Sequence, residues 1–133
     1  MSMLYNTPSS GSHQGKLWGE TQLIFCYNGV ECHNLTIVEN GFCSIHKHEN
    51  KWNRFLVVSG LLEVKQWQLN VADMSAPPDT TVLKPGEICD VPPGAFHQFN
   101  ALEQSFVIEM YWTVLDIDDI ARLTTGGVKN HEG

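Results

Sequence analysis

Closely spaced turn signals are the feature of this chain that most restricts its fold. Asn28-Gly29 and Asn40-Gly41 are typical of tight hairpin turns, and further Gly- or Pro-rich turns follow at Ser59-Gly60, at residues 84–87 and at residues 92–94. The segments between these turns are short, and they either alternate apolar with polar residues or are rich in β-branched residues, as β-strands are. The pattern predicts an all-β fold, either a sandwich or a closed barrel.

The length of 133 residues suits a single hydrophobic core, because two domains of half that size would each bury too little surface. Residues 1–15 are rich in Asn, Ser, Gly and Pro, and we expect them to form a flexible arm ahead of one domain that spans residues 16–133. Asp116 to Leu123 has a helical pattern with acidic residues near its start, which predicts a short C-terminal helix.

The formal charge of −7 and the scatter of the eight basic residues argue against binding to nucleic acid or to an anionic membrane surface. No apolar run approaches the roughly 20 residues that span a bilayer, and residues 1–15 lack the basic start and apolar stretch of a secretory signal. We therefore expect a cytoplasmic protein in which the four cysteines stay as free thiols.

Three histidines stand in positions that suit metal ligands. His46 and His48 lie two residues apart in an alternating segment, so both imidazoles project from one face, about 6.6 Å apart along the strand. His97 follows the turn at residues 92–94 and is the natural third donor from a neighbouring strand. Imidazole suits Mn, Fe, Zn or Ni, and three imidazoles leave positions open for water or substrate. Ser44 and Asn100 are candidates for orienting these rings.

The surroundings of the three histidines resemble the two conserved motifs of the cupin superfamily. The segment from Gly41 to His48, closed by Gly60, is similar to the first motif, and Gly86 to Asn100 is similar to the second. This resemblance implies a double-stranded β-helix, a jelly-roll-like barrel with the metal inside, and a homodimer. Where the family has a glutamate ligand this chain has Asn53, which could ligate only through a neutral carbonyl oxygen.

A narrower resemblance concerns the cupin domain of type II mannose-6-phosphate isomerases and mannose-1-phosphate guanylyltransferases. Leu17-Trp18-Gly19 is similar to their entry into the barrel, residues 55–60 to a later strand, and residues 118–123 to their acidic-Ile-x-Arg ending. This implies a sugar or sugar-phosphate ligand and a metal-dependent isomerase or epimerase. In such an enzyme Glu109 would be the base, and Arg122 would bind an anionic substrate.

Two other functions stay open at this point. Three histidines without a carboxylate also suit a non-haem iron dioxygenase, and the replacement of the motif glutamate by Asn53 suits a cupin that binds a small molecule, such as a carbohydrate, without catalysis. Glu109 could equally be an outward-facing charge on a strand, and Arg122 a cation in the last turn of a helix.

Overall fold

The computed structural model describes residues 12–69, 71, 73–113 and 120–129, and within these residues the chain forms nine β-strands and no helix. The strands are β1 (Ser12–Lys16), β2 (Gly19–Tyr27), β3 (Val30–Ile37), β4 (Trp52–Ser59), β5 (Leu62–Gln66), β6 (Asp79–Leu83), β7 (Ile88–Val91), β8 (His97–Ala101) and β9 (Ser105–Trp112). In this part of the chain no helix is long or apolar enough to cross a membrane.

The strands form two antiparallel sheets, one of six strands in the order β1-β2-β3-β9-β4-β7 and one of three in the order β6-β5-β8. The last strand, β9, lies between β3 and β4, so the two halves of the chain are interleaved. This arrangement confirms the predicted all-β, jelly-roll-like barrel of the cupin type.

The core lies between the two sheets and follows the alternation of inward-facing residues. On β4, Phe55 and Val57 are fully buried, and on β5 Leu62 and Val64 are also buried. The same alternation also buries polar side chains, namely Asn53, His97 and Glu109. The apolar core therefore passes directly into a polar interior.

The N-terminal arm and the C-terminal helix differ from the sequence-based expectations. Residues 12–15 were expected in the arm, yet Ser12–Lys16 pairs with the edge of β2, where strand pairing satisfies backbone groups without apolar side chains. Residues 1–11 lie outside the described residues. The predicted helix is not seen at residues 120–123, and the rest of its predicted range, residues 116–119, lies outside the described residues. Ile120 and Leu123 are exposed, so nothing packs against an apolar helix face, without which a helix this short is marginal.

Gly60 makes the turn between β4 and β5 and approaches the chain ahead of β9. Its φ is +97°, and a Cβ at this position would lie 2.4 Å from both the Gln104 carbonyl oxygen and the Ser105 hydroxyl oxygen. Ser105 is fully buried and its hydroxyl accepts a hydrogen bond from the Leu61 N–H at 3.1 Å. Gly86 has a similar φ of +86°, but open space surrounds the position of its Cβ.

We predict that Gly60→Ala destabilises the protein more than Gly86→Ala. The Gly86 variant should be destabilised only by the backbone strain of a left-handed residue, about 1–2 kcal/mol, whereas the Gly60 variant must also displace the Gln104 carbonyl and the buried Ser105 hydroxyl. Chemical denaturation of both variants measures the difference in the free energy of unfolding. Equal losses would contradict the close packing at Gly60.

Candidate metal centre

His46, His48 and His97 converge on one region inside the barrel. One ligand nitrogen from each ring lies within 4.8 Å of the other two. His46 and His97 face each other across an antiparallel bridge, in which the His46 N–H donates to the His97 carbonyl at 3.1 Å and the His97 N–H donates to the His46 carbonyl at 2.8 Å. His48 follows two residues later on the same side. These three histidines could hold a metal ion.

Backbone carbonyls determine which ring nitrogens are available. Nδ1 of His97 lies 3.0 Å from the Ala95 carbonyl oxygen, and Nδ1 of His46 lies 2.8 Å from the Ser44 carbonyl oxygen. Because a carbonyl only accepts hydrogen bonds, both Nδ1 atoms must carry the proton, which leaves a lone pair on each Nε2 when the rings are neutral. Nε2 of His48 is buried and has no hydrogen-bond partner among the described residues.

Asn53 is fully buried and lies between His97 and Glu109. Its Nδ2 donates to the Met110 carbonyl oxygen and to Glu109 Oε2, both at 3.4 Å, so its Oδ1 must point the other way. Oδ1 lies 3.1 Å from Nε2 of His97. Two acceptor atoms that face each other in a buried place repel unless a cation or a proton lies between them. The residues present therefore fit a divalent metal, with Asn53 as a neutral fourth donor.

The protonation of the histidines also suits a metal. Burial lowers the pKa of His97 to about 4, and the nearby His46 and His48 add to the effect, although the hydrogen bond to Ala95 opposes it. Burial likewise lowers the pKa of His48 to about 4, and the nearby His46 and Lys51 add to the effect, although Glu31 opposes it. Both imidazoles are therefore neutral at pH 7, which is the form that binds metal ions.

His46 lines a cavity of about 610 Å³. Four aromatic side chains contribute to its wall: Trp18, Phe42, Phe99 and Tyr111. Polar and charged residues also line it: Gln14, Lys16, Thr21, Glu31, His33, Ser44, His46, Lys51 and Glu109. The cavity is large enough for a small organic ligand that reaches the histidines.

Glu109 is an inward-facing carboxyl group in the cavity wall, and only 8% of its surface is exposed. Burial raises its pKa above the ordinary value, against the opposing effect of hydrogen bonds from the Tyr111 hydroxyl and the Asn53 amide. The buried Tyr111 phenol has a raised pKa for the same reason and because the Glu109 charge is close, so Tyr111 stays neutral and donates a hydrogen bond to the carboxylate.

Three further residues are candidates from the sequence: Arg122, Ser44 and Asn100. Arg122 is exposed and is not among the described residues that line the cavity, so its role stays a prediction. Ser44 does orient His46, through its carbonyl and with its hydroxyl at 3.3 Å, whereas the Ala95 carbonyl, rather than Asn100, orients His97.

Glu31 and His33 are not predicted from the sequence as parts of the cavity wall, which also contains Lys51. The i, i+2 spacing of Glu31 and His33 in a strand was the available signal, since such residues share one face.

No protein-family model and no curated protein matches the chain. Solved structures do resemble it. KdgF from Halomonas sp. aligns with a TM-score of 0.64 and 20% identity over 79% of this chain and 88% of that one. An RmlC-like cupin from Shewanella frigidimarina NCIMB 400 aligns with a TM-score of 0.65 and 15% identity over 85% and 93%. The chain has the cupin fold.

A third cupin-fold structure, an oxalate oxidase, aligns with a TM-score of 0.55 and 20% identity over 64% of this chain and 42% of that one. At such identities the likeness concerns the fold alone, and the chemistry of this protein follows from its own residues.

We predict that this protein retains a divalent metal when it is purified without a nickel column, and that His97→Ala and His48→Ala each lose most of it. Each substitution removes one of three neutral donors. Elemental analysis measures the metal, and His33→Ala, which removes a cavity histidine outside the cluster, is the matched control. Unchanged metal content in both cluster variants, with circular dichroism like the wild type, would refute the three-histidine site.

The metal-free protein should lose stability as the pH falls from 6.5 towards 4. The pKa of His97 is about 4 in the folded protein and near the ordinary value of 6.5 in the unfolded chain, so between these values the unfolded chain binds more protons. His97→Gln removes this contribution and should show a shallower loss. Glu109 has a raised pKa and acts in the opposite direction, so the difference between the two proteins isolates His97. Chemical denaturation in EDTA at several pH values measures it, and parallel pH profiles would contradict the lowered pKa.

Proposed function

We propose that this cupin is a metal-dependent isomerase or epimerase of a sugar or sugar phosphate. The observation that carries the proposal is the chain of buried contacts that connects the histidines with the carboxyl group of Glu109 in the cavity wall. His97 contacts Asn53 at 3.1 Å, and Asn53 contacts the buried carboxyl of Glu109 at 3.4 Å. A site that can hold a Lewis-acidic metal ion thus lies next to a carboxylate base.

His46, His48 and His97, with Asn53 Oδ1, are the residues that would hold the metal. A divalent ion held there supplies polarisation of a carbonyl or hydroxyl oxygen of the substrate. The neutral ligand set leaves the positive charge of the ion undiminished, which favours that polarisation. The carbonyls of Ser44 and Ala95 hold two of the rings in place, so the donor atoms are oriented before the ion arrives.

Glu109 is the proposed base. Aldose–ketose isomerisation moves a proton between adjacent carbons: the carboxylate removes it from the carbon next to the carbonyl, and the C–H electron pair becomes the double bond of an enediolate. The same carboxyl returns the proton to the former carbonyl carbon, and a hydroxyl proton passes between the two oxygens, so no oxidant is needed. The raised pKa of Glu109 strengthens it as a base, and Tyr111 holds the carboxylate in position.

One observation favours a second candidate, a dioxygenase that uses iron. Glu109 hydrogen-bonds Tyr111 and Asn53, and no carboxylate belongs to the group of potential ligands among the described residues, a group that consists of His46, His48 and His97 with the neutral Asn53 beside them. A three-histidine site without a carboxylate ligand suits ferrous iron with open positions for dioxygen and substrate.

The test is turnover of a panel of aldoses, ketoses and their phosphates by protein loaded with manganese, zinc or nickel. We predict that Glu109→Gln lowers turnover by about 10²–10⁴-fold while the metal content stays unchanged, because the amide cannot accept the carbon-bound proton. Glu63→Gln is the control, since Glu63 lies on β5 and pairs with Lys65 away from the cavity.

Unchanged turnover in the Glu109→Gln variant would show that Glu109 is not the base. Oxygen uptake by the iron-loaded protein with a thiol or diketone, without turnover of any sugar, would favour the dioxygenase instead.

A further inference from the structure

A second group of polar side chains lines the cavity apart from the three histidines. Glu31, His33, Lys51 and Tyr111 form this group, which we call the β3 cluster. Lys51 Nζ donates to Glu31 Oε1 at 3.1 Å, and His33 Nε2 donates to Glu31 Oε2 at 3.2 Å. The Lys51 ammonium also lies 4.0 Å from the centre of the Tyr111 ring.

Strand register assembles the β3 cluster. Glu31 and His33 project from one face of β3, and they stand opposite Tyr111 and Glu109 on β9. Tyr111 is also in edge contact with the rings of His33 and His48, with centroid separations of 5.8 Å and 5.0 Å. The cluster therefore adjoins the candidate metal centre, and a ligand held by the metal can contact both.

The charges in the cavity do not suit a phosphate. The Lys51 ammonium is already paired with Glu31, and Arg54 is paired with Asp90 through two contacts of 2.7 Å and lies outside the cavity wall. Arg122 is not part of the described wall either. Among the described lining residues this leaves the exposed Lys16 as the one cation without a carboxylate partner, and an isolated surface ammonium contributes little.

The β3 cluster does suit hydroxyl groups. A hydroxyl donates one hydrogen bond and accepts others, and the cluster offers a carboxylate acceptor in Glu31 and an ammonium donor in Lys51 within one network. Because these groups already hold one another, little side-chain freedom is lost when a ligand binds. The rings of Trp18 and Tyr111 in the same cavity supply apolar faces for the C–H groups of a sugar.

We propose that the β3 cluster binds the hydroxyl groups of an uncharged sugar, so that the substrate of this cupin carries no phosphate. This inference rests on the proposed function and selects one of the two substrate classes that it includes.

The test is isothermal titration calorimetry, which measures the affinity of the manganese-loaded protein for D-mannose, D-glucose and D-fructose and for their 6-phosphates. We expect at least one uncharged sugar to bind about tenfold or more tightly than its phosphate. Glu31→Gln and His33→Gln should each weaken the binding of that sugar by about tenfold, with metal content unchanged, since each variant loses hydrogen bonds within a charged network. Glu63→Gln, outside the cavity, should bind like the wild type.

Glu31→Gln has a second expected effect that loss of structure could not produce. It frees the Lys51 ammonium, so the 6-phosphates should bind more tightly to this variant than to the wild type. Tighter binding of the phosphates by the wild type would overturn this inference and leave the proposed isomerase standing. Wild-type affinity of both cluster variants for the uncharged sugar would overturn the assignment of the cluster, and failure of every sugar to bind or react would overturn the proposed function together with it.

Discussion

The alternation of side chains on β4, β8 and β9 connects the stability of the barrel to its candidate site. On β4 the inward face that buries Phe55 also carries Asn53, and on β8 the face that buries Phe99 also carries His97. A register slip of one residue would turn the core and the site outward together. The apolar half of each strand thus determines where its polar half points, and the bridge between His46 and His97 brings the first two histidines to the same place.

Asn53 and Glu109 make sense as a pair. A carboxylate at position 53 could not donate a hydrogen bond, and it would face the Glu109 carboxyl across a distance at which two negative charges repel. The amide of Asn53 instead presents an acceptor to His97 and a donor to Glu109. The negative charge of Glu109 is therefore separated from His97 by the neutral amide of Asn53, and this separates the metal donors from the proposed base.

The cavity has two walls with different chemistry. The histidines form a wall of neutral donors, because burial and mutual repulsion keep His48 and His97 unprotonated at pH 7. The β3 cluster forms a wall in which Lys51 and Glu31 neutralise each other. Tyr111 touches both walls, and its hydroxyl holds Glu109. A ligand that chelates a metal at one end and presents hydroxyl groups at the other would match both walls.

The turn signals and the two motifs were sufficient to predict the barrel and the cluster of His46, His48 and His97, because hairpin turns and i, i+2 spacing are local properties of the chain. The orientation of Glu109 could not be decided from sequence, since alternation alone does not tell which face of β9 is buried. The pairing of Ser12–Lys16 with β2 depends on a free strand edge, and the C-terminal helix depends on a surface to pack against. Lys51 and Glu31 are 20 residues apart in sequence. They meet because the sheet order β3-β9-β4 brings the start of β4 near β3, and this order is determined by tertiary packing.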